Sequence, residues 1–204
     1  LVNKKPFLFF LIKNFLKINE NQIILATGYK AIKVENFVKK YFKNNKKIKM
    51  VNSGNVDIIK RLKDSSKLIK RDFFVCYGDT YVDINLKKYI KNFYDSGKNC
   101  SVLSSFYKIK YGTVEYNKLS KVVKKFKEKP VIDDPINLGY FVFKKVLIKE
   151  IKKNKSWISF LRNISKKKQM ITHVTKNKFF SFDSPREYFE IKSKVSLQKN
   201  KLDE

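Results

Sequence analysis

Hydrophobic residues in this chain fall into two textures, short unbroken runs and runs at helical spacing, and the two alternate. Pro6 can stand as a first helical residue, and 7–18 is apolar on nearly every face, as in a helix built to be buried. The run Gln22-Ile23-Ile24-Leu25-Ala26 reads as a short buried strand ended by Gly28. Val34, Phe37, Val38, Tyr41 and Phe42 then fall at helical spacing, and 48–51 reads as a strand. The loop Asn52-Ser53-Gly54-Asn55 leads to a short helix over 58–62. Phe73 to Tyr77 is a continuous apolar strand closed by Gly78-Asp79. Asp83 is the expected cap of a helix with inner face Leu86, Tyr89, Ile90, Phe93 and Tyr94, stopped by Gly97. A strand over 101–106 follows.

The second half changes texture. Thr113 to Tyr116 and Val122 to Lys127 flank Asn117-Lys118-Leu119-Ser120 and read as an antiparallel hairpin. The pattern predicts a strand over 138–143, a helix over 144–152, and a last pair of strands at 170–175 and 179–182. Ser184-Pro185-Arg186-Glu187 opens a terminal helix, with a Ser cap and Glu three residues after it. Strand and helix in alternation imply an α/β fold: a mainly parallel sheet with helices on both faces and an antiparallel hairpin in its second half. No Pro/Gly linker or repeat divides it, so 1–195 reads as one domain and 196–204 as a polar tail.

Composition narrows the function. At 43% hydrophobic and 15% aromatic, the 204 residues can bury a core, which excludes wholesale disorder. Lys and Arg total 47 against 18 Asp and Glu, a net charge of +29 that invites a nucleic-acid reading. Only four of the 47 are Arg (Arg61, Arg71, Arg162, Arg186), and the Lys residues are spread over the whole length. Groove readers favour Arg for its bidentate geometry, so no specific nucleic-acid binding is expected. Cys76, Cys100 and His173 are too few for a disulfide framework or a Cys/His zinc site. Cys76 lies inside an apolar run and reads as packing rather than as a Cys/His nucleophile. With no 18-residue apolar stretch there is no membrane span, and 6–16 lacks a small-residue cleavage site, so the cytoplasm is the expected compartment. Self-association is left open.

Two aspartates stand at strand ends. Asp79 follows the most apolar strand, with Gly78 allowing close backbone approach, and Asp183 follows Phe179-Phe180-Ser181-Phe182. Ligands of open α/β sheets collect outside the carboxyl ends of strands. If both ends face one cleft, the pair offers hard oxygen ligands for Mg²⁺; otherwise each is a loop Asp satisfying backbone donors. Lys129 could reach a phosphate, Asp133-Asp134 reads as a solvated turn, and His173 as structural. Gly28 and Gly54 are isolated, so neither makes a Gly-rich phosphate loop.

The order of motifs resembles the sugar-1-phosphate nucleotidyltransferases over about Lys5 to Lys192. The likeness is carried by Lys5-Pro6-Phe7-Leu8, Gly28-Tyr29-Lys30, Val75-Cys76-Tyr77-Gly78-Asp79 and Tyr111-Gly112-Thr113-Val114. It continues through Glu128-Lys129-Pro130, Ile136-Asn137-Leu138-Gly139 and Asp183-Ser184-Pro185-Arg186-Glu187-Tyr188. The forms at 77–79 and 111–114 look most like the heptose 1-phosphate guanylyl and glucose 1-phosphate cytidylyl branches. The resemblance implies a Rossmann-like nucleotidyltransferase sheet that joins a nucleoside triphosphate to a sugar 1-phosphate with release of pyrophosphate, for cell-surface polysaccharide precursors. It implies that Asp79 and Asp183 hold catalytic Mg²⁺ and that Lys129 grips the sugar phosphate. Gly112, Asn137 and Glu128, with Gly78 and Gly139, would form the substrate pocket. A phosphate monoester is already largely ionised near neutrality, its second pKa being about 6. Placement and charge neutralisation, rather than a strong base, are then what the chemistry needs.

The chain departs from the family pattern in two places. The family's first strand and Gly-rich loop, with Gly-Thr-Arg and a later Pro-Lys, do not occur in the 204 residues, which begin at Leu1. The reading is therefore of a domain lacking its first strand and phosphate loop. The family's Thr-Gly-Gly segment is shortened here to Ser53-Gly54-Asn55-Val56-Asp57. A non-catalytic relative that binds sugar phosphate or nucleotide is the first alternative. A glycosyltransferase of similar fold is the second, opposed by Gly78-Asp79-Thr80-Tyr81 where those enzymes usually carry Asp-x-Asp.

Overall fold

The computed structural model describes residues 5–18, 22–43 and 45–181. In chain order the elements are α1 (Phe7–Leu16), β1 (Ile23–Thr27), α2 (Ala31–Phe42), β2 (Ile48–Asn52), α3 (Ile58–Ser65), β3 (Phe73–Cys76) and β4 (Thr80–Val82). Then come α4 (Leu86–Asp95), β5 (Cys100–Ser105), β6 (Thr113–Tyr116), β7 (Val123–Lys127) and β8 (Ile136–Phe143). A 3₁₀ turn leads to α5 (Ile148–Lys153), α6 (Trp157–Lys166), β9 (Met170–Val174) and β10 (Phe179–Ser181). Asp183, the expected terminal helix and the 196–204 tail lie outside the described residues.

The central sheet has the order β3-β8-β5-β9. β3, β5 and β9 share one direction, and β8 runs against β3 and β5. The reversal has a plain cause. The chain leaves β5 at Ser105, makes the β6–β7 hairpin, and re-enters beside the end it left, with Ser105 opposite Ile136. No crossover is needed for that return. β8 is buried from Leu138 to Phe143 and feeds both faces. Phe141 and Phe143 pack with Ile59 and Leu62 of α3, Ile151 of α5, and Trp157, Phe160 and Ile164 of α6. Tyr140 and Val142 pack with Leu86, Tyr89 and Phe93 of α4.

β1 and β2 form a separate parallel pair, from Ile23 opposite Ile48 to Thr27 opposite Asn52, with α2 as the crossover. Among the described residues no ladder joins this pair to the central sheet. Helices join them instead. Phe9 of α1 sits 5.7 and 5.6 Å from the rings of Tyr41 and Phe42, while Phe15 lies 5.2 Å from Phe74 of β3. That double duty explains a helix apolar on nearly every side. α3 lies against β1 and β2, and also fills the core under the central sheet.

Three local expectations are corrected. Asn85, not Asp83, caps α4, its Oδ1 accepting the Lys88 amide at 3.0 Å. Asp83 instead prolongs the β4 edge, its amide donating to the Lys178 carbonyl at 3.1 Å. β9 and β10 do not pair with each other, because β9 extends the sheet beside β5 and β10 pairs with β4. Finally, α6 has no counterpart in the pattern reading. It opens on a reciprocal Ser156–Ser159 capping box rather than on the usual Ser with a later Glu.

Candidate active site

The end of β3 is held open by Gly139. Its φ is +73°, and a Cβ there would lie 2.5 Å from the Tyr77 ring, so only glycine lets that ring rest on β8. The Tyr77 amide donates to the Gly139 carbonyl at 3.0 Å, and Asn137 Oδ1 accepts the Gly139 amide at 2.8 Å. The Tyr77 hydroxyl accepts from Trp157 Nε1 at 2.6 Å, and the Trp157 amide donates to Asp57 Oδ1 at 3.0 Å. Burial raises the Tyr77 hydroxyl above its ordinary pKa against hydrogen bonds from Trp157 and Asn137. The phenol stays neutral near pH 7.

Asp79 stands on the turn that this scaffold fixes. It is exposed, and its Oδ1 accepts from Thr80 Oγ1 at 3.0 Å. Thr80 is buried, and its carbonyl accepts from the Tyr140 hydroxyl at 3.1 Å. Ser181, the last residue of β10, pairs with Thr80, the neighbour of Asp79. Nothing lies within 4 Å of a Cβ built on Gly78. The space beside it is open to a ligand. The structure thus brings Gly78, Asp79, Asn137 and Gly139 together.

Gly112, Glu128 and Lys129 form a second group at the foot of the hairpin. A Cβ on Gly112 would meet the Phe126 ring at 2.7 Å and Glu128 Oε2 at 3.2 Å. Lys129 Nζ lies 3.5 Å from Glu128 Oε1, with both side chains more than half exposed. The hairpin's root is pinned by the Ile109 amide to the Pro130 carbonyl at 3.0 Å and the Ile132 amide to the Tyr107 carbonyl at 3.1 Å. Asp133 and Asp134 are exposed, as a solvated turn requires.

A third group was not legible in sequence. Gly28 and Gly54, each just past a strand, meet because Thr27 and Asn52 are register partners. A Cβ on Gly28 would lie 2.2 Å from the Gly54 carbonyl oxygen and 2.9 Å from a terminal guanidinium nitrogen of Arg61. Two isolated glycines 26 positions apart carry no signal until the parallel register of their strands is known.

Cys76 is packed rather than poised as a nucleophile. Burial pushes the Cys76 thiol up to about 12, and its Sγ is 3.0 Å from the Tyr77 carbonyl. His173 faces the Tyr89 ring at 5.5 Å. Among the described residues no three His, Cys, Asp or Glu side chains are grouped to hold a metal ion. Asp79 supplies one hard oxygen donor with no ion-pair partner among them, which fits a divalent cation completed by a further carboxylate and water. Among them too, no helix is long and apolar enough to cross a membrane.

Comparison with known proteins agrees with this architecture. The family model described as nucleotidyl transferase matches residues 1–183. A D-glycero-alpha-D-manno-heptose 1-phosphate guanylyltransferase of Campylobacter jejuni subsp. jejuni serotype O:2 is 26% identical over 195 residues, covering 92% of this chain and 85% of that protein. The crystal structure of HddC from Yersinia pseudotuberculosis superposes with a TM-score of 0.72 at 24% identity, covering 95% of this chain and 87% of that one. The same protein complexed with GMP-PN gives a TM-score of 0.71 at 23% identity, with the same coverage. With a family model matching residues 1–183 and a fold shared over 95% of the chain, the protein belongs to the nucleotidyl transferase family, among the sugar-1-phosphate nucleotidyltransferases.

Proposed function

We propose that the protein transfers a guanylyl group from GTP to a heptose 1-phosphate, releasing pyrophosphate. The observation that carries this reading is the open Tyr77-Gly78-Asp79 turn, framed by Asn137 and Gly139, in a chain of this family. The choice of base and sugar rests on the Campylobacter jejuni relative. The family's chemistry uses a divalent metal, and Mg²⁺ is the ion proposed here. Asp79 and Asp183 would hold it, and the pairing of Ser181 with Thr80, the neighbour of Asp79, supports that reading. When bound, the ion offsets charge on the triphosphate that is attacked. Lys129 at the hairpin foot would hold the sugar phosphate, with Gly112 kept side-chain-free so that Glu128 and Phe126 can close on the sugar. Asn137 and Gly139 would line the same pocket, and open space at Gly78 would admit the phosphate. The attacking oxygen needs no strong base, so the residues position it in line with the α-phosphate. The cytoplasm, where nucleoside triphosphates are made and used, is the compartment that goes with this reading.

Pyrophosphate release, followed with GTP, CTP, UTP, ATP and dTTP against a panel of sugar 1-phosphates, tests the proposal. GTP with a heptose 1-phosphate should give the highest turnover. Release that never depends on an added sugar 1-phosphate would overturn it.

A further inference from the structure

The β6–β7 hairpin is a sheet of its own. No third strand joins it among the described residues, and every residue of both strands is exposed. Its register sorts the side chains by character. Val114 pairs with Phe126 and Tyr116 with Val123, while Thr113 pairs with Lys127 and Glu115 with Lys125. Successive residues of a strand point to opposite faces, so one face of the ribbon is apolar and the other polar. Apolar exposure continues at the tip, where Val122 is 63% and Leu119 94% exposed. The tip is nevertheless ordered. Asn117 Oδ1 accepts the Leu119 and Ser120 amides at 2.9 and 3.1 Å, and the Asn117 amide donates to the Val122 carbonyl at 2.9 Å. A two-stranded ribbon with a bare apolar face is marginal in water by itself, and such a patch marks a contact surface.

Charge identifies the occupant. Lysine is common along the whole chain; what distinguishes the ribbon is that its lysines border exposed apolar side chains. From Thr113 to Lys127 there are five, Lys118, Lys121, Lys124, Lys125 and Lys127, against Glu115 alone. A second copy of the chain would bring like charges together, which is unfavourable. A nucleic acid would be met by Arg and a row of stacking rings, yet the ribbon has no Arg and its most exposed apolar residue, Leu119, is aliphatic. An anionic bilayer suits both features. The lysines meet the headgroups, the aliphatic side chains enter the acyl boundary, and Tyr116, with Lys121 Nζ 5.7 Å over its ring, sits at headgroup level. We infer that the β6–β7 hairpin docks the protein on an anionic lipid surface, with the tip around Leu119 and Val122 inserted. This goes beyond the proposed reaction and stands independently of it. Gly112, Glu128 and Lys129 stand at the foot of the ribbon, and the docking end is the opposite one.

The test sediments the full chain with vesicles of phosphatidylglycerol and phosphatidylethanolamine in equal parts, and with vesicles of phosphatidylcholine alone. It runs beside the double variant Leu119→Ser with Val122→Ser and the triple variant Lys118→Gln, Lys121→Gln and Lys124→Gln, each checked by thermal unfolding. The wild type should partition onto the anionic vesicles about tenfold or more better than onto the neutral ones. Each multiple variant should lose about tenfold or more of that binding. Leu119→Trp should show emission moving to the blue on the anionic vesicles, against the steady signal of the buried Trp157. Equal binding by the serine variant would assign adsorption to net charge alone and overturn the inference. An unmoved Leu119→Trp emission, or a wild type that stays in the supernatant, would do the same. A dimer or a single-stranded RNA complex that the serine variant breaks, with vesicles ignored, would give the ribbon to another partner and overturn it too.

Discussion

Glycines separate structural from functional demands at the level of single residues. Gly139→Ala should lower stability by about 2–4 kcal/mol, because it adds a steric clash with Tyr77 to a left-handed backbone conformation. Gly78→Ala meets no atom within 4 Å, so its stability should change by less than about 0.5 kcal/mol. Its turnover should fall nonetheless, since the added methyl enters the open space beside Asp79. Urea midpoints with matched turnover rates would separate the two cases. The sequence carried part of this. A glycine and an aspartate after an apolar run announce the end of a strand, which made the turn after β3 legible. The meeting of Gly28 and Gly54 was not, because it depends on which loops a parallel register brings together.

Caps and pairings carry the lesson for whole elements. Asp83 and Asn85 both precede the helix, and both residue types cap well. The strand–strand contact at Lys178 decides between them by holding Asp83 in an extended edge. Asn85→Ala should therefore cost about 1 kcal/mol, and Asp83→Ala only a few tenths, in urea unfolding followed by circular dichroism. Runs of apolar residues located most of the strands, including the buried β8. Direction was another matter. Nothing in the period of Leu138 to Phe143 distinguishes a parallel from an antiparallel strand; the return of the hairpin to the end of β5 fixes it. α6 shows the apolar spacing Trp157, Phe160, Leu161 and Ile164, but its Ser–Ser box lacks the Glu that usually marks a helix start in sequence.

Across the whole molecule, titration and charge make further demands. Cys76, Cys100, Tyr89 and Tyr140 are all raised by burial, so the fold holds their protons more tightly than the unfolded chain does. Their contribution is fully present at neutral pH. It declines as pH rises past the ordinary thiol value near 9.0 toward the folded value of Cys76, about 12. Urea midpoints at pH 7.5 and 10.5 should show a clear loss at the higher pH. Iodoacetamide at pH 8 should label neither cysteine until the chain unfolds. The lysine excess, spread over the sequence, predicts only weak DNA binding that is blind to sequence and falls steeply with salt. Filter binding of unrelated duplexes from 50 to 200 mM salt would check this.

Asp79, at the open end of β3, is the carboxylate proposed to serve nucleotidyl transfer. Its most direct test is sugar-dependent pyrophosphate release by Asp79→Asn, measured beside the wild type at saturating Mg²⁺, GTP and heptose 1-phosphate. The substitution preserves shape and the hydrogen bond from Thr80 while removing the charge. Its unfolding temperature should match the wild type, and its rate should fall by about a thousandfold, the scale of losing a central electrostatic contact. A rate within a few-fold of wild type would contradict the account.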